Sequence, residues 1–195
     1  MKAVPRRLIG PLALVGFGLA LIAVYFALIE TGPSGPSPSA IGGPFSLVAE
    51  DGQAVTDADF KGEPVLVFFG YTHCPDVCPT TLFDMTQVFQ KLGADKKVAG
   101  LFITVDPERD TPAVMKDYMS SFDPRIIGLS GTRQAIDPVL REYRVYARKV
   151  PGDGADYSMD HSAIVYLMDK QGRFVNAFNL DQPVEAAARQ LQAYL

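Results

Sequence analysis

An unbroken apolar run, Pro64–Phe69, leads straight into Gly70-Tyr71-Thr72-His73-Cys74-Pro75-Asp76-Val77-Cys78-Pro79. A run of this length with no polar alternation predicts a strand buried on both faces, which requires a packed layer on either side. Beyond Pro79, Leu82, Met85, Val88, Phe89 and Leu92 recur at helical spacing, and Gly93 closes the helix they predict. Phe83, Met85 and Phe89 are read as core. Cys74 and Cys78, the only two cysteines, therefore lie on a strand-to-helix turn. With Pro75 as the first helical residue, Cys74 would stand at the N-cap. Such turns are where α/β folds place their chemistry.

The remaining pattern alternates strands and helices. Phe45–Val48 and Gln53–Val55 flank Glu50-Asp51-Gly52, a hairpin signal. Val98–Val105 predicts a second buried strand. Thr111 is a good N-cap and Pro112 a good first helical residue for a helix to about Ser121. Ile126–Leu129 reads as a strand, Thr132–Arg141 as a helix and Tyr143–Val150 as a strand. Pro151–Asp160 is Gly- and Asp-rich and reads as a loop. His161–Met168 and Arg173–Leu180 form a hairpin pattern, with a last helix from near Gln182. No internal repeat is present. This order predicts a three-layer α/β domain of the thioredoxin-like class with an added N-terminal β-hairpin.

The N-terminal end has a different character. Leu8–Ile29 carries no charge and would span about 33 Å as a helix, enough for a hydrocarbon core of roughly 30 Å. Lys2, Arg6 and Arg7 precede it, and no Lys or Arg follows until Lys61. The positive-inside rule keeps residues 1–7 cytoplasmic, makes 8–29 a single transmembrane anchor and exports the rest. A cleaved signal peptide is the rival, with Ser37-Pro38-Ser39-Ala40 as a weak site. Residues 30–43, rich in Pro, Gly and Ser, read as a linker to a domain at 44–195. A bacterial inner-membrane protein with its C-terminal domain in the periplasm is the expectation. The exported part keeps 15 basic against 22 acidic residues, a net charge of −7. Nucleic acid is excluded as a partner on that balance; a cationic surface or a metal cation fits.

Cysteines four apart on a helix suit either a disulfide or joint ligation of one soft cation. A helix N-terminus favours the thiolate that both chemistries need. Three intervening residues make the pair wider than the C-x-x-C of disulfide oxidoreductases. A further ligand must come from His73 or His161, the only two imidazoles. His161, in Met159-Asp160-His161-Ser162, is the stronger candidate, with Asp160 available to orient it or add an oxygen and Met159 as a weak optional ligand. Spacing alone leaves open whether it reaches the cysteines or is an ordinary surface histidine. Two thiolates and an imidazole suit Cu(I) and accept Cu(II), whereas zinc wants a fourth ligand of matching quality.

Tyr71-Thr72-His73-Cys74-Pro75-Asp76-Val77-Cys78-Pro79-Thr80-Thr81-Leu82, Val105-Asp106-Pro107-Glu108-Arg109-Asp110-Thr111-Pro112 and Asp160-His161-Ser162 resemble the three hallmark segments of the Sco/SenC copper-chaperone family. They occur in the family's order behind an apolar N-terminal run. The resemblance implies a thioredoxin-like domain binding one copper ion through Cys74, Cys78 and His161. It implies a metallochaperone for the binuclear copper centre of cytochrome c oxidase subunit II, or for another copper-accepting protein. A periplasmic thiol reductant or copper donor would serve it. Some family members act as thiol-disulfide reductases, which is the alternative here; it would use Cys74 and Cys78 without needing His161. Within Asp106–Pro112 a structural turn and helix cap are expected rather than direct chemistry.

Overall fold

Strands β1 (Ser46–Ala49) and β2 (Ala54–Thr56) pair antiparallel around Gly52, whose φ of 86° is the left-handed conformation the turn demands. These coordinates, a computed structural model, describe residues 22, 24, 25, 41–154 and 156–195. The expected cytoplasmic segment 1–7 and most of the expected anchor 8–29 and linker 30–43 lie outside them. Only Ile22, Val24 and Tyr25 of the anchor are described, and they are helical. Among the described residues no helix is long and apolar enough to cross a membrane. Ile41 packs against the core, and Gly42 N–H donates to Glu142 O at 2.9 Å, so the packed domain reaches back to residue 41.

Next come β3 (Val65–Gly70), helix α1 (Val77–Leu92), β4 (Ala99–Thr104), α2 (Pro112–Met119), β5 (Ile126–Ser130) and α3 (Arg133–Glu142). The chain ends with β6 (Ala147–Pro151), β7 (Tyr157–His161), β8 (Val165–Met168), β9 (Phe174–Ala177) and α4 (Val184–Gln192). Among the described residues, seven strands form one sheet in the order β2-β1-β5-β4-β3-β8-β9, and β6 pairs with β7 in a separate ribbon. β3, β4 and β5 run parallel, while β8 returns antiparallel to β3.

Every residue of β3 and β4 is buried, as strands covered on both faces must be. α1 and α4 pack together, and Met85 of α1 meets Gly100 on β4. Met115 and Met119 of α2 lie over Gly128, on the same sheet face as Gly100 and its neighbour Ile126. Tyr143, which caps α3, packs tilted against Phe69 and edge-to-face against Tyr166 on the opposite face. The result is the expected three-layer, thioredoxin-like arrangement with the N-terminal hairpin added at the sheet's far edge. Phe68, Phe69 and Phe102 are fully buried between the layers, each contributing about 1.5–3 kcal/mol.

Three local expectations are corrected. α1 begins at Val77 rather than Pro75, because Cys74 N–H closes a tight turn onto Tyr71 O. Pro79 is tolerated in the first helical turn, where its missing N–H has no intrahelical partner. Tyr157–Asp160 is not loop but the body of β7, paired residue for residue with β6. His161 therefore closes a strand instead of opening one. Phe83 is 56% exposed on the outer face of α1 and is not core.

Candidate metal centre

The turn after β3 brings Cys74 and Cys78 to one end of the parallel strands. Cys78, the second residue of α1, is fully buried; Cys74, in the turn before it, is half-buried. Cys78 N–H points at Cys74 Sγ across 3.5 Å, so the start of the helix presents a donor to the outer sulfur. Both cysteines are free thiols. The inner sulfur occupies space that only glycine leaves open: a Cβ on Gly70 would stand 2.6 Å from Cys78 Sγ and 2.7 Å from the Phe102 ring. That glycine ends β3, and its role was not evident from the pattern.

His161 reaches this pair from 83 residues away in sequence. Its Nε2 lies 3.6 Å from Cys78 Sγ, and its Nδ1 lies 3.1 Å from Ser162 O. A carbonyl only accepts, so Nδ1 carries the proton and the Nε2 lone pair faces the sulfurs. The ring stands edge-on to Tyr71, at 5.8 Å and 89° between ring planes. One ligand atom from each of Cys74, Cys78 and His161 fits within a 4.8 Å span. Burial pushes the Cys78 thiol well above its ordinary value and lowers the imidazole, so both inner groups are neutral near pH 7. Two sulfurs and an imidazole converging in a half-buried niche are suited to taking up a single soft cation, which displaces the proton of a bound thiol.

The other residues singled out in the sequence lie elsewhere. The His73 side chain is exposed and turned to Thr72 Oγ1 at 3.0 Å. Asp160 pairs outward with Arg148, so Ser162 O and not Asp160 orients His161. Met159 is buried in the core.

What holds the two halves of the site together is the Asp106–Pro112 segment, structural as expected but far more buried than a turn. Asp110 accepts from Thr72 Oγ1 and Thr104 Oγ1, both at 2.6 Å, fixing the base of the cysteine turn. Asp106 accepts from Arg109 and from Tyr157 O–H at 2.9 Å. Arg109 also donates to Tyr157 O at 3.0 Å. Asp106 and Asp110 are fully buried, which a carboxylate tolerates only with such partners. Tyr71 and Tyr157 are further positioning residues that the sequence reading did not identify. Alternation of Tyr157, Met159 and His161 with Ser158 and Asp160 was the available signal for β7.

With this geometry in hand, comparisons with known proteins are consistent. The sequence model of the family described as SCO1/SenC matches residues 33–195. Bradyrhizobium japonicum ScoI, solved with copper bound, is 58% identical; the alignment covers 80% of this chain and all of that one, with a TM-score of 0.78. The mitochondrial SCO1 homolog of Homo sapiens is 44% identical over 142 residues, 71% of this chain and 47% of the relative. The mitochondrial SCO1 homolog 1 of Arabidopsis thaliana is 40% identical over 162 residues, 81% of this chain and 48% of the relative. The chain thus matches about half the length of these two relatives.

Proposed function

The chain belongs to the SCO1/SenC family, and from that premise we propose that it is a copper metallochaperone binding one copper ion through Cys74, Cys78 and His161. Its cargo would go to, or prepare, the binuclear copper centre of cytochrome c oxidase subunit II. In this reading residues 8–29 anchor it in the bacterial inner membrane and the domain faces the periplasm.

The observation that carries the proposal is the 3.6 Å separation of Cys78 Sγ and His161 Nε2. Support also comes from the copper-bound state of the similar B. japonicum protein. The reduced thiols hold copper as thiolates, and His161 completes and stabilises the Cu(II) form. Cys74 is the more accessible sulfur, so a partner's thiolate exchanges there first. Release of His161 then requires movement of the β6–β7 ribbon as a unit, not of a loop. Anaerobic titration of the reduced protein with Cu(I) and Cu(II) tests this. Thiolate-to-copper charge transfer should saturate at one equivalent; saturation at another ratio, or none, would refute it.

A second reading, a thiol-disulfide reductase, is favoured by the asymmetry of the pair: an accessible Cys74 facing a backbone N–H, with Cys78 behind it. That arrangement suits an attacking and a resolving thiol. His161→Ala separates the two, because it should spare reductase turnover and weaken copper binding.

A further inference from the structure

Beside the thiols the surface opens into a groove of about 470 Å³. It runs from Asp76 and Val77, inside the cysteine turn, past Asp84 on α1 to Ile164 and Asp181. Val77 and Ile164 are 43% and 42% exposed. One directly precedes Cys78 and the other follows His161 by three residues, so two exposed apolar side chains of the groove adjoin the candidate ligands in the chain.

The charge along this groove has one sign. Asp76, Asp84 and Asp181 line it, and no Lys or Arg does. Among the described residues none of the three carboxylates pairs with a cation, whereas Asp123, Asp169 and Glu185 elsewhere each hold an Arg or Lys. Burial and the nearby charge of Asp181 both push the Asp84 carboxyl upward, so a cation brought between them would relieve a standing repulsion. Among the described residues only Cys74, Cys78 and His161 form a group of three donors close enough to share a metal ion, so the groove's carboxylates are suited rather to basic side chains.

We propose that this groove receives a basic, partly apolar extended segment of the protein that exchanges copper with the neighbouring thiols. Lys or Arg side chains of that segment face Asp84 and Asp181, and an apolar side chain covers Val77 and Ile164. The inference rests on the copper-transfer reading and deepens it by assigning the chemistry of the partner. Charge complementarity in the groove orients the partner's acceptor group over Cys74 and raises the encounter rate.

The test uses the ¹⁵N-labelled full chain and two synthetic peptides, one alternating Lys with Val and the other Glu with Val. The Lys–Val peptide should shift amide resonances around Asp76–Asp84, Ala163–Ile164 and Phe178–Asp181, and added salt should weaken it. The Glu–Val peptide should leave them unmoved. In the Asp84→Asn/Asp181→Asn double variant the affinity of the Lys–Val peptide should fall about tenfold or more. Equal affinity in that variant, shifts confined to another surface, or no binding of the Lys–Val peptide to the unaltered chain overturns the proposal. Copper titration of the same samples separates the two readings. Normal copper uptake without peptide binding sinks the groove alone, whereas peptide binding without copper uptake sinks the copper reading and, with it, the partner's role in copper exchange.

Discussion

The Arg109 guanidinium lies 3.7 Å from the centre of the Tyr157 ring and 5.7 Å from that of Tyr71. One side chain of the Asp106–Pro112 segment thereby ties the strand that ends in His161 to the turn that carries the cysteines. The donors of the metal centre come from two distant stretches of chain, and their mutual distance depends on this bracket.

Two substitutions at Tyr157 divide the bracket into its parts. Tyr157→Phe keeps the ring under Arg109 and removes the bond to Asp106, and should lower stability by about 1–2 kcal/mol in urea unfolding. Tyr157→Leu also removes the cation–π contacts with Arg109 and Lys149 and should cost about 1–2 kcal/mol more, with weakened Cu(II) binding as β7 loosens. If the two variants unfold alike, the cations over the Tyr157 ring contribute nothing.

Gly70 is the second test. A methyl group there meets Cys78 Sγ and the Phe102 ring well inside contact distance, and neither a core aromatic nor the second residue of a packed helix can retreat easily. Gly70→Ala should destabilise the fold by about 1–3 kcal/mol and shift the thiolate-to-copper absorption band. An unchanged unfolding midpoint with an unchanged band would show that the niche has slack the distances do not suggest.

Much of this architecture was legible because apolar runs and caps act locally. Pro64–Phe69 and Val98–Val105 have to be doubly covered strands, and Thr111-Pro112 is a helix start by hydrogen bonding and fixed φ: Thr111 Oγ1 accepts from Val114 N–H in the structure. The errors have physical causes as well. Tyr157–Asp160 is only half apolar and adjoins glycines and aspartates, so loop composition masked its alternation. Phe83 lies one residue off the buried stripe of α1. The burial of Asp106 and Asp110 was out of reach, since it depends on Thr72, Thr104, Arg109 and Tyr157, which only the folded chain assembles around them. The Cys74, Cys78 and His161 grouping was readable as a candidate through the family resemblance; its geometry was not.

Away from the metal centre, Asp123 offers a check on the electrostatics. The bidentate hydrogen bond from Arg125, with both contacts at 2.8 Å, holds its carboxyl below the usual value. A folded-state value depressed in this way adds stability that is full above the unfolded value near 3.8 and is lost as pH falls through the folded one. Asp123→Asn should therefore cost about 1.5–3 kcal/mol at pH 7, and the gap to the parent should close in strong acid. A gap independent of pH would mean that the ion pair is not its source.

The central claim is that an imidazole and two sulfurs share one ion. X-ray absorption spectroscopy of the copper-loaded protein reads this directly. The Cu(II) form should show two sulfur scatterers and one imidazole nitrogen, and His161→Ala should lose the imidazole signature while keeping both sulfurs. An identical coordination shell in the two proteins, or a shell without sulfur, would contradict the account.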